Sequence, residues 1–285
     1  MVHWGGSQLF QTHLLPLLPA LADDVVMEVR SKCALAIMDS SEGGTLEDPL
    51  IVNSFGPLLE SFLQDEFQEV QLQVLGNLHK LSHLLNGMNG VVSSILNMSK
   101  ATNWRVRQGV AKLLPHLAEA RGLDFFLTVL LEPAWLVLLL DPVASVRQAC
   151  CEGMSTLTKV AGSEWIAQYI LPQHVRIYNH AQNGGGSYLV RITILQAHSQ
   201  TALVAQDPLW MDVVKELLRG IQDRVPNVRM VAAYGLAKIL TQTSEVNPSF
   251  VTSQVVPAIQ EKLQEEDDLD GREALQYALE AVPKK

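Results

Sequence analysis

Apolar positions along this chain fall into columns that recur. One column holds Cys33, Val74, Val110, Cys150, Ile194, Ala232 and Leu275, and four residues beyond each stands Ile37, Leu78, Leu114, Met154, His198, Leu236 or Leu279. A spacing of four keeps side chains on one face of a helix, so each pair marks the core-facing stripe of one helix. Four residues before each pair stands Val29, Val70, Val106, Val146, Val190, Val228 or, in the last copy, Gly271. The next residue is Arg in every copy except the second, which has Gln71. Five residues before the valine lies an acidic or turn residue: Asp24, Asp141 and Asp223 in the intact copies, Asp65, Ala101, Gly185 and Glu266 in the weaker ones.

The arginine column falls at 30, 71, 107, 147, 191, 229 and 272, a period of about 40 residues. That period suits a two-helix HEAT or armadillo repeat and exceeds the ankyrin and tetratricopeptide periods. Each anchor opens the second helix of a hairpin, expected near 28–39, 69–86, 105–119, 145–161, 189–205, 227–242 and 271–281. First helices are expected near 7–22, 48–64, 89–99, 124–140, 164–181, 208–222 and 248–265. Pro16, Pro57 and Pro133 lie eight residues before their anchors and Pro257 nine before Glu266, which predicts a recurrent kink, because proline removes a backbone hydrogen bond from a helix. Turn-forming linkers such as Ser40-Ser41-Glu42-Gly43-Gly44 and Ser244 to Pro248 separate the hairpins.

The fold expected is all-α: a single HEAT-repeat solenoid, or superhelix, over 1–285, with units near 7–41, 48–87, 89–120, 124–162, 164–206, 208–244 and 248–282. One such hairpin cannot bury its stripe alone, and stacking completes a continuous core. The end of the chain, with Glu273, Glu280, Lys284 and Lys285, suits a polar capping repeat. The strongly apolar first helix does not, and is expected to be covered by further repeats or by a partner.

Composition narrows the partners. Hydrophobic residues make up 48% but aromatics only 6%, an aliphatic content suited to helix-on-helix packing. A net charge of −9 without a basic stripe argues against nucleic acid. Three cysteines, Cys33, Cys150 and Cys151, two of them adjacent, make no disulfide framework and suit a reducing compartment. The run Leu14 to Ala22 ends like a signal-peptidase site, yet no Lys or Arg precedes it and Pro16 and Pro19 interrupt it, so it reads as part of the repeat. Phe125 to Leu140 is apolar but short and broken by Glu132 and Pro133, and reads as a buried helix rather than a membrane span.

Reactive groups do not converge. His79 and His83 are four apart on one expected helix without the glutamate of a metalloprotease motif. Gly184-Gly185-Gly186 lacks the lysine of a phosphate loop and reads as a turn between paired helices. His198 occupies a core column and reads as a hydrogen-bonded interface histidine. Cys150 is also in a core column, and the adjacent Cys151 points elsewhere, so redox chemistry is not expected. Glu265-Glu266-Asp267-Asp268 reads as a solvated loop able to attract a basic segment. No catalytic residue, metal site or cofactor is expected, and the chain reads as a binding scaffold rather than an enzyme.

The strings ATNWRVRQGVAKLLPHLAEARGLDFF, AWLVLLLDPVASVRQACCEGMSTLTKVAGSEW and SYLVRITIL, flanked by LLESFLQDEFQEVQLQVLGNLHKL and DRVPNVRMVAAYGLAKIL, resemble the C-terminal half of the scaffolding A subunit of protein phosphatase 2A. The resemblance covers most of the chain, which would correspond to about the last seven of fifteen HEAT repeats. It implies a non-catalytic scaffold that holds a serine/threonine phosphatase catalytic subunit on the intra-repeat turns of its last five repeats. By position the implied contacts are Trp104, Arg105, Val143, Tyr188, Val225 and Leu269. Trp104 would be an apolar anchor and Arg105 a donor, in keeping with the enrichment of Trp, Tyr and Arg at hot spots; Trp104 also reads as a helix-start residue packing on its neighbour. Gln71, Ala101, Gly185 and Gly271 depart from the pattern, as does Ala144 where the family has a larger aromatic. The early repeats that hold a regulatory subunit in that family are absent, so such binding is not implied. DRVPNVRM resembles a protein phosphatase 4 regulatory subunit as well, which is the alternative, with a HEAT transport adaptor behind it. The compartment implied is the cytoplasm, with the nucleus as a second one.

Overall fold

The computed structural model describes residues 8–41, 48–243 and 245–282, and every regular element among them is helical. Residues 42–44 and 244 of the expected linkers, and Lys284 and Lys285 of the expected cap, lie outside these. The helices are α1 (8–22), α2 (Met27–Ser41), α3 (Asp48–Leu63), α4 (Gln68–Asn77), α5 (Asn89–Met98), α6 (Trp104–Arg121), α7 (123–139), α8 (Ala144–Ala161), α9 (163–180), α10 (Tyr188–Ala202), α11 (Leu209–Gly220), α12 (Pro226–Thr243), α13 (248–265) and α14 (Leu269–Glu280). The fold is thus an all-α stack of helical hairpins, and it gathers into two compact units, Met1–Leu138 and Leu139–Lys285. No described helix is long and apolar enough to cross a membrane.

Within each unit the second helices of successive hairpins pack on one another: α2 on α4 and α4 on α6 in the first, α8 on α10, α10 on α12 and α12 on α14 in the second. The stripe read from the sequence makes these contacts. Cys33, Val74, Val110, Cys150, Ile194, Ala232 and Leu275 are all buried, as are Ile37, Leu78, Leu114, Met154, His198 and Leu236. Leu279 alone is partly exposed, on the last helix of the stack.

A ladder of ions joins neighbouring hairpins. Arg30 on α2 donates from Nε to Asp65 Oδ2 at 2.6 Å and from a terminal nitrogen to Asp65 Oδ1 at 2.9 Å, while its other nitrogen donates to the Asp24 carbonyl at 2.7 Å. Arg191 on α10 makes the same fork to Asp223, at 2.7 and 3.0 Å, with both side chains almost fully buried. Arg229 on α12 forks to Glu266 at 2.6 and 2.5 Å and donates to the Asp223 carbonyl at 2.9 Å. A bidentate guanidinium–carboxylate pair fixes orientation as well as distance. For Arg30 and Arg229 the anchor acid and the arginine six residues on are therefore one device: the arginine closes its own turn through the anchor's backbone carbonyl and reaches the acid of the next hairpin. Arg191, whose anchor is Gly185, donates to the Ala181 carbonyl instead.

Two departures from the repeat pattern are coupled. Glu266 is one methylene longer than the usual Asp, and its carboxyl carbon lies 3.0 Å from where a Cβ on residue 271 would stand. Gly271 replaces valine there because the longer acid fills the space. Gln71 keeps half of the arginine's role, donating from Nε2 to the Asp65 carbonyl at 2.7 Å.

Three expectations need correction. The second helix expected at 69–86 is α-helical only to Asn77 and continues as 3₁₀ over Leu78–Gly87. Leu78, Leu81 and Leu84 are all buried there, and a three-residue period is the repeat of a 3₁₀ helix. His79 and His83 consequently do not occupy four-apart positions of an α-helix. Second, proline does not act alike in each first helix: wide π-type turns span Phe10–Leu14 ahead of Pro16, Phe126–Trp135 around Pro133 and Val251–Val255 ahead of Pro257, whereas Pro57 lies in uninterrupted α-helix. Ile166–Ile170 forms the same wide turn ahead of Pro172, a proline outside the expected register. Third, His198 is not hydrogen-bonded. It is 1% exposed, and no protein group reaches either ring nitrogen.

Candidate partner-binding elbows

Each elbow, where a first helix turns into a second, must satisfy the free backbone N–H groups that open the second helix. The chain does this in two ways. Where the anchor is aspartate, its carboxylate accepts from the N–H two residues on: Asp24 from Val26 at 2.8 Å, Asp65 from Phe67 at 2.8 Å, Asp141 from Val143 at 2.8 Å and Asp223 from Val225 at 2.9 Å. Where the anchor is Ala101 or Gly185, the residue two on becomes the cap: Asn103 accepts from the Arg105 N–H at 2.8 Å, and Ser187 from the Leu189 N–H at 3.2 Å. The last elbow uses both, with Glu266 accepting from Asp268 at 3.1 Å and Asp268 from Gly271 at 2.8 Å.

This alternation decides which side chain the elbow displays. With aspartate at the anchor, the second residue is free to be apolar, and it is Val26, Phe67, Val143 or Val225. With the second residue engaged as a cap, the apolar one moves to the third: Trp104, Tyr188 or Leu269, each the first residue of its helix. The implied contact residues thus differ by one place in helix register: Val143 and Val225 stand immediately before their helices, and Trp104, Tyr188 and Leu269 are the first residue of theirs.

Tyr188 is 39% exposed and Leu269 80%, whereas Val143, Val225 and Trp104 are half-buried. Arg105 is exposed, and its guanidinium lies over the Trp104 ring, 4.6 Å from the centroid. Such a stack holds both side chains ready at low entropic cost. In the second unit, Val143, Tyr188, Val225 and Leu269 lie along one edge, because the ladder holds the starts of successive second helices side by side. Arg147 near the start of α8 reaches Thr193 on α10 at 3.1 Å, Arg191 reaches Asp223 just before α12, and Arg229 reaches Glu266 just before α14. Trp104 and Arg105 belong to the first unit, where Asn103 bonds Gln68 of the preceding elbow.

The first unit carries further exposed apolar elbows that the sequence reading did not single out: Val25 at 93%, Val26 and Phe67. The Arg30 guanidinium lies 5.4 Å from the Phe67 centroid. For Val26 and Phe67, the position two residues after an anchor aspartate, shared with Val143 and Val225, is the signal that finds them.

Electrostatics at the elbows follow from the ladder. Burial alone would raise the Asp65 carboxyl, but the Arg30 fork and the Phe67 N–H outweigh it and hold its pKa below the ordinary value. Glu266 is lowered in the same way: burial opposes, and Arg229 with the Asp268 N–H prevails. Beside the fifth elbow a hollow of 410 Å³ opens, lined by Leu140, Ile177, Val190 and Gly186, with Arg176 and His180 among its walls. Gly184 turns the chain there at a φ of 94°, and a Cβ on Gly185 would fall 2.2 Å from the His180 ring, so the glycine run is a structural turn.

Among the described residues no group of three His, Cys, Asp or Glu side chains is placed to hold a metal ion. Cys33, Cys150 and Cys151 are free and buried, and burial pushes the Cys151 thiol up to about 12 and Cys150 well above its ordinary value, so both remain protonated.

No model of a protein family matches the chain. Among curated proteins it is similar to serine/threonine-protein phosphatase 4 regulatory subunit 1 of Rattus norvegicus, at 27% identity over 244 residues that cover 82% of this chain and 24% of that protein. The Homo sapiens and Mus musculus counterparts match with the same identity and coverage. The chain therefore spans about a quarter of the length of the curated relatives it matches. Among solved structures, two engineered proteins align with it: one at 16% identity and a TM-score of 0.41, covering 94% of this chain and 95% of that one, the other at 18% and 0.47, covering 94% and 67%.

Proposed function

We propose that this chain is a non-catalytic regulatory or scaffold segment that binds a serine/threonine protein phosphatase catalytic subunit through the elbows of its last five hairpins. The observation that carries the reading is the apolar residue at every one of these elbows, Trp104 in the first unit and the row Val143, Tyr188, Val225 and Leu269 in the second, each set by the capping bonds of its turn and the last two elbows also by the Arg191–Asp223 and Arg229–Glu266 pairs. Pre-ordered aromatic and aliphatic anchors lose little freedom on docking. Similarity to a phosphatase 4 regulatory subunit supports the choice of partner class and favours a type 4 catalytic subunit; the strings NWRVR and GLDFF favour a type 2A one. The contacts assigned are Trp104, Arg105, Val143, Tyr188, Val225 and Leu269, and the hollow beside Tyr188 suits an apolar side chain flanked by an acidic one, given Arg176 and His180. Cytoplasmic residence, with access to the nucleus, accompanies this reading.

The test is a binding measurement with purified type 4 and type 2A catalytic subunits on immobilised chain. Wild type is expected to retain at least one of them. Trp104→Ala with Arg105→Ala is expected to weaken binding by about thirtyfold, the effect of losing one hot spot of about 2 kcal/mol. A double variant that binds as tightly as wild type while circular dichroism shows an intact helical stack removes the site, and retention of neither catalytic subunit removes the function.

A further inference from the structure

The last two second helices display a feature the phosphatase reading does not use. Tyr234 on α12 and Tyr277 on α14 are 46% and 57% exposed, and their rings meet with centroids 6.0 Å apart at 58°. They stand at one repeat position, each six residues after its column residue, Val228 or Gly271. At that position the second to fifth units expose Gly76, Lys112, Glu152 and Gln196, and Leu35 in the first is half-buried. From the second unit to the fifth the outward column is therefore small or polar, and in the last two units it becomes aromatic twice in succession.

Around the two rings lies a hollow of 370 Å³ lined by Tyr234, Glu273, Gln276, Tyr277 and Glu280. Glu273, Gln276, Tyr277 and Glu280 share one face of α14, at spacings of three and four. Gln276 donates to Glu280 Oε1 at 3.0 Å, which orients that carboxylate and leaves its second oxygen available. The walls thus offer two π faces and two carboxylates, and none of the five lining residues is a cation.

We propose that this hollow receives an arginine side chain from a basic segment of a partner protein. The guanidinium is planar and weakly hydrated, stacks on aromatic faces, and presents a fork of donors to a carboxylate. The tyrosines supply the stacking faces and Glu273 and Glu280 the acceptors. Acidic side chains alone would attract any cation loosely; the ring pair adds the shape that selects a flat one. The site lies about 12 Å along its helices from the elbows, eight residues at 1.5 Å each, so it serves a partner contact separate from the elbow row.

The experiment labels the whole chain with 3-fluorotyrosine and titrates it with acetyl-Gly-Arg-Gly-Arg-Gly-amide, following the fluorine resonances of its five tyrosines. Tyr234→Phe and Tyr277→Phe assign two of them while keeping the rings. Those two are expected to move saturably at low salt, with buried Tyr178 and the elbow residue Tyr188 as internal references. Replacing both arginines by citrulline, neutral at the same shape, is expected to abolish the movement. Tyr277→Ala should weaken binding about two- to fivefold, the effect of one exposed cation–π contact, and Glu273→Gln with Glu280→Gln should weaken it at least as much. Equal shifts with the citrulline peptide, Tyr188 moving as far as Tyr277, or no movement at all would each overturn the proposal. Phosphatase binding plays no part in this readout, so its outcome is independent of the proposed function.

Discussion

His174 on α9 and His198 on α10 are the least conventional residues of the second unit. Their rings meet with centroids 5.5 Å apart at 35°, both are buried, and none of their four nitrogens reaches a protein partner. Burial holds His174 down to about 4, and burial together with the neighbouring imidazole holds His198 well below its ordinary value. Both rings are therefore neutral in the folded chain at physiological pH, whereas in the unfolded chain they take up protons near pH 6.5. The sign follows: the stability they permit is complete above pH 6.5 and is lost as pH falls from 6.5 toward 4, because the unfolded state binds more protons there. For His174 that loss amounts to about 3 kcal/mol. The urea midpoint of wild type should fall across this window, and His174→Leu with His198→Leu should flatten the fall. A double variant with an unchanged slope would show that other groups carry it. Sequence reasoning put His198 in a core column correctly, but its partner lay on another helix, and only packing brings the two rings together.

The element that most rewards disturbance is the Arg191–Asp223 rung. Asp223 accepts the guanidinium fork, the Val225 N–H and, at 3.2 Å, the Tyr178 hydroxyl, whose own pKa is raised by burial and by that carboxylate. Asp223→Ala strands a buried guanidinium and should cost about 3–5 kcal/mol. Asp223→Asn, which keeps an acceptor but not the charge, should cost less. Thermal unfolding of both variants orders them, and an alanine variant no worse than the asparagine one would mean that the rung contributes shape rather than charge. Much of this was legible beforehand, because the recurring acid, valine and arginine announced both the hairpins and their order. What stayed hidden had local causes. The leucine spacing of three over 78–84 selects a 3₁₀ helix that a four-residue reading passes over, and the Glu266–Gly271 exchange makes sense only when the longer acid is seen filling the missing side chain's place. At the elbows, Trp104, Tyr188 and Leu269 were placed by resemblance, whereas Phe67 and Val26 needed the capping bonds to stand beside them.

Across the molecule, stability in stacked hairpins is shared between nearest neighbours rather than pooled. A lesion in one rung should therefore loosen the helices it joins and fade with distance along the stack. Asp65→Ala is expected to raise amide hydrogen exchange in α2, α3 and α4 and leave α12 to α14 at wild-type rates, measured by mass spectrometry of the whole chain. Uniform acceleration would show that the hairpins unfold as a single cooperative body.

The division of labour at the elbows has one further outcome. Cap and display are separate letters of the chain, one or two places apart, and the ion pairs beneath depend on neither display side chain. Exchanging Val225 or Leu269 for another residue therefore rewrites what a partner meets while the scaffold underneath stands unaltered, so successive hairpins act as independently adjustable teeth on one key.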